Sequence, residues 1–309
     1  MFAKRVTVQL KREYWEHRSL FILLPLVCVL LVTGFWVLAV ISDPTINQAN
    51  GSGIKLADPH FQEFLKLDET GSGYKINFAS NQVVGFILAL QQFMGWWFFS
   101  VVSVFLTLYY STSCLFSDRK SRDILFWRSM PVSEHFNVLI KLVVAAASVP
   151  LLTLLMNALT SLVLLLVVCV WLGDFGQFVT ALRALPLLGN YLLGSMGLVP
   201  LILPVFAWAM LASAYAKKSP FLGATFIPLI LLVADRFLNK FMGINIHIYE
   251  LLKTYLNTIG DVMQMSFGDA SNGYVSFTFN YSAEVAIYSL IVAVLLAVII
   301  WLRNNRYEI

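Results

Sequence analysis

Apolar residues in this chain come in long unbroken runs, and the polar residues gather between them. Val83–Ser117 holds no Asp, Glu, Lys, Arg or His, and neither does Leu142–Gly173. A helix needs roughly 20 apolar residues to cross the hydrocarbon of a bilayer, so such runs predict membrane spans. Six are expected: about Leu20–Ile41, bounded by Arg18 and Asp43; within Val83–Ser113; within Leu142–Leu172; within Leu187–Tyr215; about Pro220–Leu238; and about Ala283–Leu302. Three of the runs exceed the required length, which implies tilt or extension beyond the hydrocarbon. Pro150, Pro200 and Pro204 are expected kink sites, tolerated where neighbouring helices satisfy the freed carbonyls. The first run is too long for a cleaved leader and no small-residue cleavage site follows it, so a permanent helix is expected.

Composition supports the same class. The chain is 59% hydrophobic and 12% charged, against about 25% charged for a soluble domain. Its 309 residues are expected to form a single transmembrane domain, 1–309. Net charge is +4, which matters through where the charges sit and gives no reason to expect nucleic acid. With the N-terminus inside, the inner segments hold 14 Lys and Arg and the outer segments 7. This bias predicts a multi-pass protein of a cell (inner) membrane with both termini cytoplasmic. Cys28, Cys114 and Cys169 lie within or at the ends of apolar runs and read as small hydrophobes.

Between the spans, 42–82 and 239–282 are the expected extracytoplasmic loops. The first carries the turn-rich tracts NQANGSG and ETGSGYK around an expected short helix, His60–Leu67. The second holds a helical pattern at Ile246–Ile259, the turn signal GDASNG and the alternating VSFTFNY, which predicts an extended segment. Residues 1–19 form an amphipathic pattern. Phe2, Ala3, Val6, Leu10 and Tyr14 share one face, and Lys4, Arg5, Lys11, Arg12, Glu16 and Arg18 occupy the rest. A basic amphipathic helix before a span is expected in the cytoplasmic interface, as a static anchor or as a lever moving with the spans.

The segment 118–141, DRKSRDILFWRSMPVSEHFNVLIK, is a charged island between two very long uncharged runs. Its apolar members Ile124, Leu125, Phe126, Trp127, Met130 and Pro131 set it apart from an ordinary solvated loop. Ser117 or Asp118 is expected to cap a short helix ending near Met130, and Ser133 to cap the third span. Such a helix would be coupled to two spans and could seat in a groove on a soluble partner.

With Asp118, Arg119, Asp123, Leu125, Pro131, Val132 and Ser133 in place, the chain resembles a permease subunit of the ABC type-2 exporter family. The resemblance implies an all-α fold with an N-terminal interfacial helix, six spans and a cytoplasmic coupling helix between spans 2 and 3. Asp118, Arg119, Asp123, Leu125, Trp127 and Pro131 are the expected ATPase-coupling residues. It also implies two copies of a separate ABC ATPase carrying ATP and Mg, and a second copy of this permease or a close paralogue. The cargo expected is hydrophobic or amphipathic and is exported. The chain lacks the glycine often found before the hydroxyl and Leu of that loop, and Arg122 stands near its place.

Other chemistry is sparse. No GxxxxGK[ST] occurs, so no nucleotide is expected on this chain. His17, His60, His135 and His247 form no HExxH pair, and Gly194–Ser195 lacks nucleophile-elbow spacing; neither catalytic nor metal residues are expected. Asp235 and Arg236, near the end of the fifth span, read as a structural pair, with each other or a neighbour, ahead of a substrate gate. Gln91, Gln92, Ser100, Ser103, Asn157, Thr160 and Ser161 read chiefly as interhelix contacts. Phe93, Trp96, Trp97, Phe98 and Phe99 read as an interface belt or packing surface. The competing functions are an ABC-type complex assisting maturation or extraction of an extracytoplasmic protein, a membrane scaffold, and an intramembrane enzyme.

Overall fold

A computed structural model describes residues 2–42, 80–120, 133–172, 187–243, 247–267, 275–281 and 283–305. The expected helix His60–Leu67 and the coupling residues Asp123, Leu125, Trp127 and Pro131 lie outside them. Among the described residues, six helices are long and apolar enough to cross a membrane, with segments Ser19–Leu38, Gln91–Lys120, Glu134–Val167, Leu188–Tyr215, Pro220–Met242 and Val285–Asn305. The chain is therefore a multi-pass helical membrane protein, and its described residues include a small hairpin at one end.

Helix α1 is Phe2–Glu16 and α2 is Leu24–Ser42; a π-helical turn, Ser19–Leu23, joins them. His17 marks the bend, where its carbonyl accepts from both Leu20 and Phe21. The second span, α3, is Ser80–Lys120, and the third, α4, is Glu134–Leu172. The expected cap at Ser117 or Asp118 is not what forms: both lie inside α3, which continues to Lys120. The helix persists because its charged end finds partners along its own side. Arg119 donates to the carbonyls of Ser213 (2.6 Å) and Ala216 (2.7 Å) at the end of the neighbouring helix. Ser133 does cap α4, its Oγ accepting from the Phe136 N–H at 3.4 Å.

Helix α5 is Leu187–Tyr215, α6 is Pro220–Met242, α7 is Ile248–Val262 and α8 is Ala283–Asn305. Pro150 and the pair Pro200 and Pro204 sit within α4 and α5 without ending them. α3, α4 and α5 form the centre. Their core holds Tyr110, Leu115, Val138, Leu142, Val149, Phe206 and Met210, with Leu20 of the π turn and Val292 and Ile299 of α8. Small residues allow the close approach that replaces a hydrophobic driving force inside a membrane. A side chain at Gly95 would come within 2.7 Å of Asn157 Oδ1. α6 is peripheral; its segment is only 6% buried.

α7 and a hairpin pack at the end away from Lys120. Strand β1, Met263–Phe267, pairs antiparallel with β2, Val275–Phe279, in the register Met263↔Phe279 to Phe267↔Val275. The extended VSFTF pattern and the helix before it are thus both present. Phe277 and Phe279 share one strand face and meet α5 at Gly194 and Gly197, where a Cβ at Gly197 would collide with the Phe279 ring and one at Gly194 would stand tightly, 3.0 Å, from Phe277. Trp96 closes the same contact. Its indole donates to the Tyr191 carbonyl (3.0 Å) and to Ser195 Oγ (2.9 Å), and its ring lies 4.7 Å from Phe277. Trp96 and Phe99 are fully buried, so they pack inside the bundle, whereas Trp97 and Phe98 face outward.

Candidate functional site

Four elements converge where α3 ends and α4 begins. On α1, Gln9, Arg12, Glu13 and Glu16 fall on one face at helical spacing. This polar face, not the apolar one, turns into the protein: Gln9 and Glu13 are buried, while Leu10 and Tyr14 are exposed. α3 contributes Asp118, α4 contributes Glu134 and Lys141, and α8 contributes Arg303.

Asp118 is the hub. Its Oδ1 lies 2.8 Å from Arg12 Nη2; its Oδ2 lies 3.5 Å from Lys141 Nζ and 3.7 Å from Arg303 Nη1. Lys141 Nζ is also 2.7 Å from Glu13 Oε1 and donates to the Cys114 carbonyl at 3.0 Å. Arg303 Nε lies 2.9 Å from Glu134 Oε2. The Tyr110 hydroxyl donates to Glu13 Oε2 at 2.8 Å, and Arg12 Nε donates to Glu16 Oε1 at 2.7 Å. Asp118 and Arg303 side chains are each 2% exposed and that of Lys141 is wholly buried. Buried charges persist only when paired and hydrogen-bonded.

The titration of α1 follows from this packing. Burial pushes the Glu13 carboxyl up, but Lys141, Tyr110 and Arg12 outweigh it and hold Glu13 below the usual carboxylate range. Burial opposes charge on Arg12 too, yet Asp118, Glu16 and Glu13 raise it above its ordinary value. Burial raises Glu16 despite Arg12. It lowers His17, which lies edge-on to the Tyr110 ring at 4.9 Å and stays neutral near pH 7. Glu13, Glu16 and His17 present ligand atoms within 4.8 Å of one another. Glu13 is already held by Lys141 and Tyr110 and Glu16 by Arg12, so a metal ion would have to displace those pairs.

From the cluster a polar seam runs up the α3–α4 contact. Thr107 and Ser148 hydroxyls lie 2.7 Å apart, and Thr153 Oγ1 donates to Ser103 Oγ at 3.0 Å. Asn157 Nδ2 donates to the Gln92 carbonyl at 3.1 Å, and Ser161 Oγ donates to Gln91 Oε1 at 2.9 Å. Gln91, Ser103, Asn157, Ser161 and the Gln92 carbonyl thus make the expected interhelix contacts, whereas the Ser100 and Thr160 hydroxyls are buried without a hydrogen bond among the described residues.

Of the expected coupling residues, Asp118 and Arg119 are described, and neither is free to reach a partner. Asp118 is buried, and Arg119 holds the Ser213 carbonyl in α5 and the Ala216 carbonyl just beyond it. The structure adds Arg12, Glu13, Tyr110, Glu134, Lys141 and Arg303 to Asp118. Arg12, Lys141 and Arg303 are three of the 14 inner Lys and Arg, and the adjacency of Lys and acidic residues to span ends is the signal in the sequence. Asp235 and Arg236 do act structurally, through a neighbour. Asp235 Oδ2 accepts from the Tyr249 N–H at 3.1 Å near the start of α7, and the Arg236 guanidinium lies 4.0 Å from the Tyr249 ring centre.

No family model, no curated protein and no solved structure matches this chain.

Proposed function

We propose that this chain is the transmembrane subunit of an ATP-driven ABC transporter that exports a hydrophobic or amphipathic cargo. ATP and Mg belong to two copies of a separate ABC ATPase, and a second copy of this chain or a close paralogue completes the pathway. In this reading the chain resides in a cell (inner) membrane with both termini, and residues 118–141, on the cytoplasmic side. Leu10 and Tyr14, exposed on α1, rest in the interface there.

The ion cluster carries the proposal. Asp118 and Glu134 stand on either side of segment 121–132, and Arg303 bridges them. Arg12 and Lys141 tie the same carboxylate to α1 and α4. A push on 121–132 by a closing ATPase pair therefore reaches α1, α3, α4 and α8 together. Asp123, Leu125, Trp127 and Pro131 are the contact residues; Asp118 and Arg119 act behind them as positioning residues.

A tagged pull-down in mild detergent, with partners identified by mass spectrometry, tests the reading. A stoichiometric P-loop ATPase is expected, and Leu125→Asp should remove it by placing a carboxylate in the docking groove. Recovery of the chain without an ATPase would overturn the reading in favour of a scaffold or enzyme.

A further inference from the structure

We infer that α7 is a lipid-seated interfacial helix, embedded in the leaflet opposite the ion cluster with a stripe of side chains on the acyl chains. This placement rests on the six-span architecture and not on the transporter reading.

Two neighbouring helices measure its depth. The turn between Tyr215 and Pro220 carries exposed Lys217 and Lys218, so both helix ends lie at the membrane boundary on the cluster side. Tyr255 of α7 donates its hydroxyl to the Leu201 carbonyl, at the centre of α5. At 1.5 Å per residue, Leu201 stands about 21 Å above Tyr215. Asp235, which holds the start of α7, stands about 22 Å above Pro220 by the same rule. The hydrocarbon is about 30 Å thick, which leaves both points some 8–9 Å short of the far boundary. Helix tilt would place them farther from that boundary. An interfacial helix buries its apolar face about 5–10 Å deep.

The faces of α7 suit that position. Tyr255, Thr258 and Val262 turn inward, Val262 packing with Leu201 and Val285. Glu250, Lys253, Asn257 and Asp261 form an exposed charged and polar stripe that needs water. Between these two faces runs an apolar stripe, Tyr249, Leu252 and Leu256, exposed by 42%, 40% and 58%. It begins at α6, where Arg236 covers Tyr249, and continues the exposed apolar flank of that peripheral span. A helix with one face on protein, one wet and one apolar at this depth has acyl chains as its third neighbour.

Spin labels test the assignment. Single cysteines at Leu252, Leu256, Lys253 and Asn257 would be introduced in the full chain with Cys28, Cys114 and Cys169 replaced by Ala. The labelled protein would be reconstituted in phosphatidylethanolamine–phosphatidylglycerol vesicles. Collision with oxygen should exceed collision with a water-soluble nickel chelate severalfold at 252 and 256, with the order reversed at 253 and 257. High nickel collision at all four positions would place α7 in an aqueous loop and overturn the inference. Low collision with both reagents at 252 and 256 would overturn it in favour of a protein interface on this stripe.

Discussion

Replacing Asp118 by Asn tests the ion cluster most directly, because one carboxylate serves three cations from three other elements. The contacts lie at 2.8, 3.5 and 3.7 Å. At an effective dielectric constant near 20, a unit pair at 4 Å is worth ~4 kcal/mol, so the gross attraction is on the order of 12 kcal/mol. Desolvation of the carboxylate and repulsion from Glu13 and Glu134 offset most of it. Removing one partner of a buried pair costs about 3–5 kcal/mol net, since the remaining charges stay buried and under-compensated. Asn keeps the shape and one acceptor, so the loss reports the charge. Equilibrium unfolding of the purified chain in mixed micelles is the assay. Arg12→Gln in the same background should be coupled to Asp118→Asn by about 0.5–3 kcal/mol. A loss below about 1 kcal/mol, or additivity of the two changes, would refute the hub as drawn.

Acidification should destabilise the native chain in two windows. His17 is lowered by burial, so stability is complete above its ordinary 6.5 and falls as pH drops through that value; His17→Phe should flatten this limb. Glu13 is lowered mainly by Lys141 against burial, so its contribution holds above 4.5 and is lost below it; Glu13→Gln should flatten that limb, while Glu16, raised by burial, opposes it just above 4.5. At the hairpin, Gly197→Val would drive a side chain into the Phe279 ring and cost about 1–3 kcal/mol, and pairing it with Phe279→Ala should recover part of the loss in thermal unfolding. On the proposed transporter reading, a disulfide between Thr107→Cys and Ser148→Cys, whose hydroxyls now lie 2.7 Å apart, should leave ATPase-coupled transport within twofold of the reduced form. Inhibition on oxidation would show that α3 and α4 separate during turnover.

The spans were legible because the bilayer imposes one demand, a long apolar helix, that local sequence answers alone. The VSFTF strand was legible by alternation; its partner Met263–Phe267 was not, because MQMSF has no comparable pattern and pairs only in tertiary context. The ion cluster was hidden for a related reason. Arg12, Lys141 and Arg303 each sit beside a span end, where orientation signals also sit, and composition cannot separate a solvated Lys from a buried one. The amphipathicity of α1 was visible, but which face met protein was not. Leu10 and Tyr14 mark a face for the membrane interface, but nothing in the pattern shows that Glu13, beneath the helix, is buried on Lys141.

The seam and the cluster together fix what a force on segment 121–132 can do. α3 and α4 are joined from Gln91 and Ser161 down to Asp118 and Lys141. That is 27 residues of α3, or about 40 Å of hydrogen-bonded contact at 1.5 Å per residue. Each bond of this kind inside a membrane is worth only about 0.6 kcal/mol on average, but separating the pair breaks them all at once. The buried pairs at the base add a larger cost. Sliding α3 against α4 is therefore the most expensive response, and movement of the pair as a unit is cheaper. α6 offers the least resistance, since its segment is only 6% buried and its described hydrogen bonds to α5 include a single indole, from Trp208 to the Ala224 carbonyl at 3.1 Å. The flank of the bundle that yields is then the one carrying α6 and α7.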